Sequence, residues 1–354
     1  MAKSPYQQKV EQDIARFDPG GVGAVNGRLF GFPHDYGHAS TVVIGVPWDV
    51  TTSYHEGTCG GPSAILRASP QLDFYDLDYP EAWRRGIYLV PLPGWLLARN
   101  RLLRRDAIAI IRQAEQGLPR SPVLGVKLER VNQGCRAMEA WVRNHTRAAL
   151  ELGKHPIIIG GDHSVPLGAL QALAQRYESF GILHLDAHGD LRCAYEGFDS
   201  SHASIMYNVL QLPQVTRLVQ VGIRDISHGE MALVTGSKGR VVTHFDSQLR
   251  QAGFSGKPWL HQCQEIVEAL PQQVYISCDV DGLDPKLCPN TGTPVPGGLS
   301  LEELFCLWRT VVASGRQIIG GDLCETGHHE WDGSVSARIL YKLFSLMELS
   351  QQTA

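Results

Sequence analysis

Four apolar runs in this chain each stop at a cluster of acids and histidines, and that repetition constrains the fold more than any other feature. Pro156–Ile159 is followed by Gly160-Gly161-Asp162-His163-Ser164, and Gly181–Leu185 by Asp186-Ala187-His188-Gly189-Asp190. Gln273–Ser277 leads into Cys278-Asp279-Val280-Asp281, and Gln317–Ile319 into Gly320-Gly321-Asp322-Leu323-Cys324-Glu325. Runs so continuously apolar read as strands covered on both faces. Thr41–Val46, Arg217–Ile223 and Val241–Phe245 are further strands of the same kind. Helical patterns lie between them. Arg136–Gly153 is one, Val165–Tyr177 with Ser164 as N-cap another, and Ser300–Ser314 a third, opened by the capping box Ser300-x-x-Glu303. Alternating strand and helix implies βαβ units and an α/β fold with a mainly parallel sheet. Ligands bind such sheets beyond the carboxyl ends of the strands, so the four clusters belong to one rim.

Each polar residue has a bland alternative. An Asp after a strand usually caps a helix or makes a turn, and Asp162 is read that way, as an orienting residue. His163 taken alone fits a ligand and a satisfied core histidine equally. Asp186-x-His188-x-Asp190 and Asp279-x-Asp281 are different, because groups so costly to bury need a compensating charge. Spacing at i, i+2 puts both acids of a pair on one face of an extended segment. His163, Asp186, His188, Asp190, Asp279 and Asp281 together offer two imidazoles and four carboxylates. One zinc needs three or four ligands. Six, rich in oxygen, fit two divalent ions, and carboxylate with imidazole suits manganese while tolerating nickel, cobalt or iron. A water between two such ions becomes a hydroxide nucleophile near neutral pH.

The bulk properties exclude other classes. The net charge of -4 gives no electrostatic reason for a nucleic acid or membrane partner. No stretch approaches 18 uninterrupted apolar residues. The N-terminus has no apolar signal region, and the eight scattered cysteines contain no C-x-x-C pair, so a cytoplasmic protein with reduced thiols is expected. Residues 1–40 read as an N-terminal extension, 41–345 as one domain and 346–354 as a tail. The proline-interrupted stretch 79–129, with Arg99, Arg101, Arg104 and Arg105, reads as an insertion.

The motifs resemble those of the ureohydrolases, the family of arginases, agmatinases, guanidino-acid hydrolases and guanidine hydrolases. Gly160-Gly-Asp-His163-Ser, Asp186-Ala-His-Gly-Asp190 and Ser277-Cys-Asp-Val-Asp-Gly-Leu-Asp-Pro285 resemble its three metal motifs, and Gly57 with Gly61-Pro62-Ser-Ala-Ile65 its early glycine-rich segment. The resemblance runs from about Thr41 to Leu343. It implies a three-layer α/β/α fold with an eight-stranded parallel sheet, assembled as a homotrimer or homohexamer. It also implies two divalent ions per chain, Ni2+ or Mn2+, held by the six residues above. A guanidinium carbon is attacked by the bridging hydroxide, and urea leaves. Glu325 matches the acid that pairs with the guanidinium, a sensible bidentate partner for a planar cation. Asp190 matches the residue that orients the hydroxide, and His202 the loop histidine that passes a proton to the leaving nitrogen. Ser277 and Thr293 are expected to support the site from outside.

Substrate choice is less plainly written. The position two after Asp190 is Arg192, so the arginase head-group clamp is missing, and Ser201-His-Ala-Ser-Ile-Met206 departs from the agmatinase loop. Arg192 could grip a substrate carboxylate, or pair with Glu196 or Asp199. Trp331 and Trp48 could close the pocket, or pack in the core. The Trp48–Tyr54 stretch and the His202 loop resemble the guanidine hydrolases. The leading expectation is therefore guanidine plus water giving urea and ammonia, with Trp331 and Arg192 in contact with substrate. Hydrolysis of agmatine or 4-guanidinobutyrate is the alternative, and a one-zinc deacetylase of the same fold a remote one.

Overall fold

The computed structural model describes residues 3–352. Eight strands form one sheet: β1 (Thr41–Val46), β2 (Ile87–Val90), β3 (His155–Gly160), β4 (Phe180–Leu185), β5 (Val215–Ile223), β6 (Val241–Phe245), β7 (Gln273–Asp279) and β8 (Gln317–Cys324). Their order is β2-β1-β3-β8-β7-β4-β5-β6, and every pairing is parallel. The strands that carry the four polar clusters, β3, β8, β7 and β4, are therefore neighbours at the centre of the sheet. That adjacency brings segments up to 162 residues apart to one rim.

The helices are α1 (Pro5–Arg16), α2 (Gly61–Ala68), α3 (Gly94–Glu115), α4 (Pro122–Glu151), α5 (Leu167–Arg176) and α6 (Ile205–Val209). They continue with α7 (His228–Gly236), α8 (Asp246–Phe254), α9 (Trp259–Glu268), α10 (Leu301–Ala313) and α11 (Glu330–Ser350). Alternate strand residues point to opposite faces and sort the helices into two layers. Val42, Ile44 and Ile158 pack with Leu103 of α3 and Met138 of α4. Ile182, Leu218 and Tyr275 pack with Leu170 of α5 and Met206 of α6. Val43, Ile157, Leu183 and Ile276 pack with Ile266 of α9, Trp308 of α10 and Leu343 of α11. The result is the three-layer α/β/α arrangement.

Several boundaries differ from expectation. The edge strand β2 lies in the stretch read as an insertion. Four residues among prolines carry too short a pattern to read. The same stretch supplies α3 and the first turns of α4, which the sequence reading began only at Arg136. Leu29, Phe30 and Phe32, from the expected extension, are buried in the core. Ser164 does not cap α5, which starts at Leu167 after Pro166. Its hydroxyl and amide instead donate to Asp162 Oδ1, at 2.5 and 3.1 Å. β8 runs on past Ile319 through Gly320 and Gly321, where a Cβ would lie 3.0 Å from the Pro156 carbonyl and 2.9 Å from that of Ile276. Glycine here permits close strand approach rather than ending the strand.

Candidate metal centre and active site

Asp186, directly after β4, stands at the centre of the polar rim. Its Oδ2 lies 3.0 Å from His163 Nδ1 and 2.8 Å from His184 Nε2, and its Oδ1 lies 3.4 Å from His188 Nδ1. His163 Nδ1 also meets Asp190 Oδ2 at 3.2 Å and Asp279 Oδ2 at 3.3 Å. On the other side His188 Nδ1 meets Asp281 Oδ2 at 3.0 Å. All six residues expected as ligands are thus brought together, in two lobes that share Asp186. Outer contacts aim them. Ser277 Oγ lies 2.9 Å from His163 Nε2, which leaves Nδ1 facing the carboxylates, and Thr293 Oγ1 donates to Asp281 Oδ2 at 3.3 Å. Asp190 has φ +53° and Glu325 φ +61°, left-handed conformations that non-glycine residues rarely adopt and that concentrate at functional sites.

The charges do not balance within the protein. Burial, with the Asp186 charge behind it, drives the Asp190 carboxyl up to about 8. Burial and then neighbouring carboxylates raise Asp279 and Glu325 as well. Burial opposes charge on His163 and His188, but the surrounding carboxylates outweigh it and raise His188 to about 12. Asp186 goes the other way. Burial pushes it up, yet the His184 charge and hydrogen bonds from His163, His184 and His188 hold it well below the usual carboxylate range. A rim that retains protons in this way is one where cations can take their place. Four carboxylates and two imidazoles, with no thiolate among them, suit hard or borderline divalent ions.

The metal-stripped protein should therefore lose stability as pH rises. The folded state keeps the Asp190 proton to about pH 8, whereas the unfolded chain releases it near pH 4, so this stabilisation is present at low pH and disappears as pH climbs through that window. Asp279 and Glu325 act with the same sign, and Asp186 titrates below the window. Calorimetry on metal-stripped protein should show Tm falling between about pH 6.5 and pH 8, above the range in which the depressed His202 and His34 act with the opposite sign, with added divalent cation raising Tm most at the upper end. A Tm that rises across this range in the stripped protein would contradict the charge picture.

Glu325, directly after β8, accepts from the His163 amide at 3.0 Å through Oε1, while its buried Oε2 has no partner among the described residues. Beside the rim is a cavity of about 170 Å³ lined by Ser53, His188, Asp190, Arg192, Tyr195, His202, Ala203, Asp225, Glu230 and Thr293. His202 meets Ser53 Oγ through Nε2 at 3.3 Å. Arg192 lines the cavity, but pairs neither with Glu196 nor with Asp199. Its Nε is 3.6 Å from Glu230 and its guanidinium lies 4.8 Å over the Tyr195 ring. Asp199 pairs with Arg136. The two tryptophans lie elsewhere. Trp331 is 52% exposed with its indole N–H on the Lys286 carbonyl, and Trp48 is buried in the core among α3 and α4.

Sequence reasoning passed over His184, Ser53, Tyr195, Glu230, Asp225 and the support given by Asp322. His184 carried a signal, since it precedes Asp186 by two residues and so shares its face. Asp322 lies inside β8, opposite Ser277 in register, and accepts from Ser277 Oγ and the Cys278 amide at 3.2 Å each. Ser53, Tyr195 and Asp225 come from loops and Glu230 from the first turn of α7, and no local pattern reveals their convergence.

A family model for the arginase family matches residues 39–343. The chain belongs to the arginase family. Like the ureohydrolases it resembles, this arginase-family chain is a hydrolase of amidino C–N bonds. An N(1)-aminopropylagmatine ureohydrolase of Thermus thermophilus is 33% identical over 295 residues, covering 82% of this chain and 83% of the relative. An agmatinase of Bacillus anthracis is 28% identical, covering 88% of this chain and 90% of the relative. Among solved structures, proclavaminate amidino hydrolase from Streptomyces clavuligerus superposes with TM-score 0.70 at 23% identity, covering 94% of this chain and all of that one. Agmatine ureohydrolase of Thermoplasma volcanium gives TM-score 0.68 at 23% identity, covering 97% and 99%. These structures share the arginase fold. No helix among the described residues is long and apolar enough to cross a membrane.

Proposed function

We propose that this protein hydrolyses the guanidino group of a small amine-tailed substrate, of the agmatine or N(1)-aminopropylagmatine kind, to urea and the amine. His163, Asp186, His188, Asp190, Asp279 and Asp281 would hold two divalent cations, manganese or nickel. Such a pair supplies a hydroxide nucleophile at neutral pH and positive charge for the electrophilic carbon. Glu325 receives the guanidinium at its unpartnered Oε2. Asp190 orients the attacking water and takes its proton. His202 gives a proton to the leaving nitrogen as the C–N bond breaks, so that the amine departs neutral. The family likeness also supports a homotrimer or homohexamer, and eight free thiols suit the cytoplasm.

One observation carries the choice of tail. Asp225, two residues past the end of β5, is an exposed carboxylate on the cavity wall with no ion pair among the described residues. Arg192, the only arginine or lysine lining that cavity among the described residues, faces Glu230. The free charge at the mouth is negative and favours an ammonium over a carboxylate. The names of the relatives support the same reading. Guanidine loses the closed-pocket argument, since neither Trp331 nor Trp48 lines the cavity. The test is urea release from agmatine, N(1)-aminopropylagmatine, guanidine and 4-guanidinobutyrate by metal-loaded wild type and Asp225→Asn. Wild type should prefer the amine-tailed compounds. The substitution should raise their KM roughly fivefold, as for a solvent-exposed ion pair, and leave guanidine unaffected. Preference for 4-guanidinobutyrate would overturn the assignment.

A further inference from the structure

Gly292 faces the Glu325 oxygen that has no partner among the described residues. It lies in the buried turn of Thr291-Gly292-Thr293, which is pinned at two points. The His55 amide donates to the Gly292 carbonyl at 3.2 Å, and Thr293 Oγ1 donates to Asp281 Oδ2 at 3.3 Å. A Cβ at position 292 would lie 3.0 Å from Glu325 Oε2, 3.4 Å from Thr52 Cγ2 and 3.5 Å from the His55 carbonyl oxygen. The last two are ordinary packing distances. The first is shorter than the about 3.3–3.6 Å at which C–H groups meet oxygens.

Backbone geometry does not account for this glycine. Glycine is the default where φ is positive or where another backbone comes close. The φ of Gly292 lies outside the left-handed region, and the tightest contact a Cβ would make is with a side-chain atom. Two other rim glycines show the usual pattern. A Cβ on Gly161 would collide with the Trp48 carbonyl, and one on Gly282 would lie 2.7 Å from the Asp186 amide nitrogen. What Gly292 leaves open is instead the space beside a buried acceptor. Thr52, on the opposite wall of that space, has a buried Oγ1 that also lacks a partner among the described residues. Thr293 and Ser53, next in the chain to Gly292 and Thr52, line the cavity, so the space lies directly behind the cavity wall.

We propose that Gly292 is a specificity-determining residue whose missing side chain admits the guanidino end of the substrate to Glu325 Oε2. The inference rests on the guanidinium-binding role given to Glu325 above. A guanidino end is flat and carries its N–H donors in its own plane. It can lie against a bare Cα with a nitrogen about 2.7–3.2 Å from the carboxylate oxygen. A methyl group on that Cα would take the open side of Oε2, and the guanidino group would have to stop short of it. The acid supplies the charge, and the glycine supplies the room in which a planar cation reaches it.

The test compares wild type, Gly292→Ala, Glu325→Gln and the double variant as metal-loaded enzymes, on the best guanidino substrate of the wild type. Readouts are kcat, KM, metal content and Tm. An alanine fits this backbone and presses on the end of a flexible side chain, so Gly292→Ala should keep the Tm and metal content of wild type. Its kcat/KM should fall roughly 5- to 150-fold, the equivalent of the about 1–3 kcal/mol of an overpacked site, and the loss should appear mainly as a higher KM. In the Glu325→Gln background the same substitution should cost roughly threefold or less, because the charge it obstructs is already gone. Wild-type kcat/KM in Gly292→Ala would overturn the inference alone. So would an equal loss in both backgrounds, which would mean that the methyl group acts apart from Glu325. Full kcat/KM in Glu325→Gln would overturn the role of the acid and the inference together.

Discussion

Glu325→Gln should lower kcat/KM for the guanidino substrate roughly 100- to 5,000-fold, the equivalent of the about 3–5 kcal/mol lost when one partner of a buried charge pair is removed. The geometry isolates the effect. Glu325 Oε1 is already occupied by the His163 amide, and Oε2 is buried with no partner among the described residues. Glutamine can keep the first contact, so the metal-facing histidine should stay in place and metal content should not change. What is lost is the negative oxygen on which a planar guanidinium forms a charge-assisted bond. The check is steady-state kinetics with metal analysis of the same sample. Unaltered kcat/KM with full metal content would remove Glu325 from substrate binding.

Asp186→Ala should have the larger effect on metal. Among the described residues Asp186 is the one carboxylate that touches both lobes, with Oδ2 toward His163 and Oδ1 toward His188. Its loss weakens both cation positions at once. Metal bound per chain should fall below one, and urea release should drop by well over the roughly 10- to 100-fold that follows loss of an outer-shell partner. Asp322→Asn provides that comparison. It acts through Ser277 and the Cys278 amide, and should lower metal affinity within the 10- to 100-fold range. If Asp186→Ala binds two ions as tightly as wild type, the two-lobed reading of the rim is wrong.

The parts of this fold visible in the sequence are those whose signal is local. β1 and β6 coincide with their apolar runs end to end, β1 buried at every residue and β6, at the sheet edge, anchored by the buried Val241. The Ser300 capping box opens α10 as read: the Glu303 amide donates to Ser300 Oγ and the Ser300 amide to the Glu303 carboxylate. β2 escaped because four half-covered residues between prolines offer no periodicity. The end of β8 was misplaced because Gly320-Gly321 looks like a turn until neighbouring carbonyls show why no side chain fits. The rim followed the same rule. Asp186, His188 and Asp190 announce themselves by spacing, and the parallel sheet then brings His163, Asp279 and Asp281 to them. Ser53, Tyr195, Asp225 and Glu230 depend on how three loops and the start of α7 meet. Trp331 and Trp48 were drawn toward the pocket by their nearness in sequence to Glu325 and to β1. The structure puts one on the surface and the other beneath α3, since nearness along a chain fixes neither depth nor direction.

The most direct test is a titration of metal-stripped protein with manganese, and separately with nickel, following urea release from agmatine and N(1)-aminopropylagmatine at each step. The two-cation hydrolase predicts activity that climbs until two equivalents per chain are bound and stays level beyond. Full activity at one equivalent, or no urea from any guanidino compound with two ions bound, would contradict it.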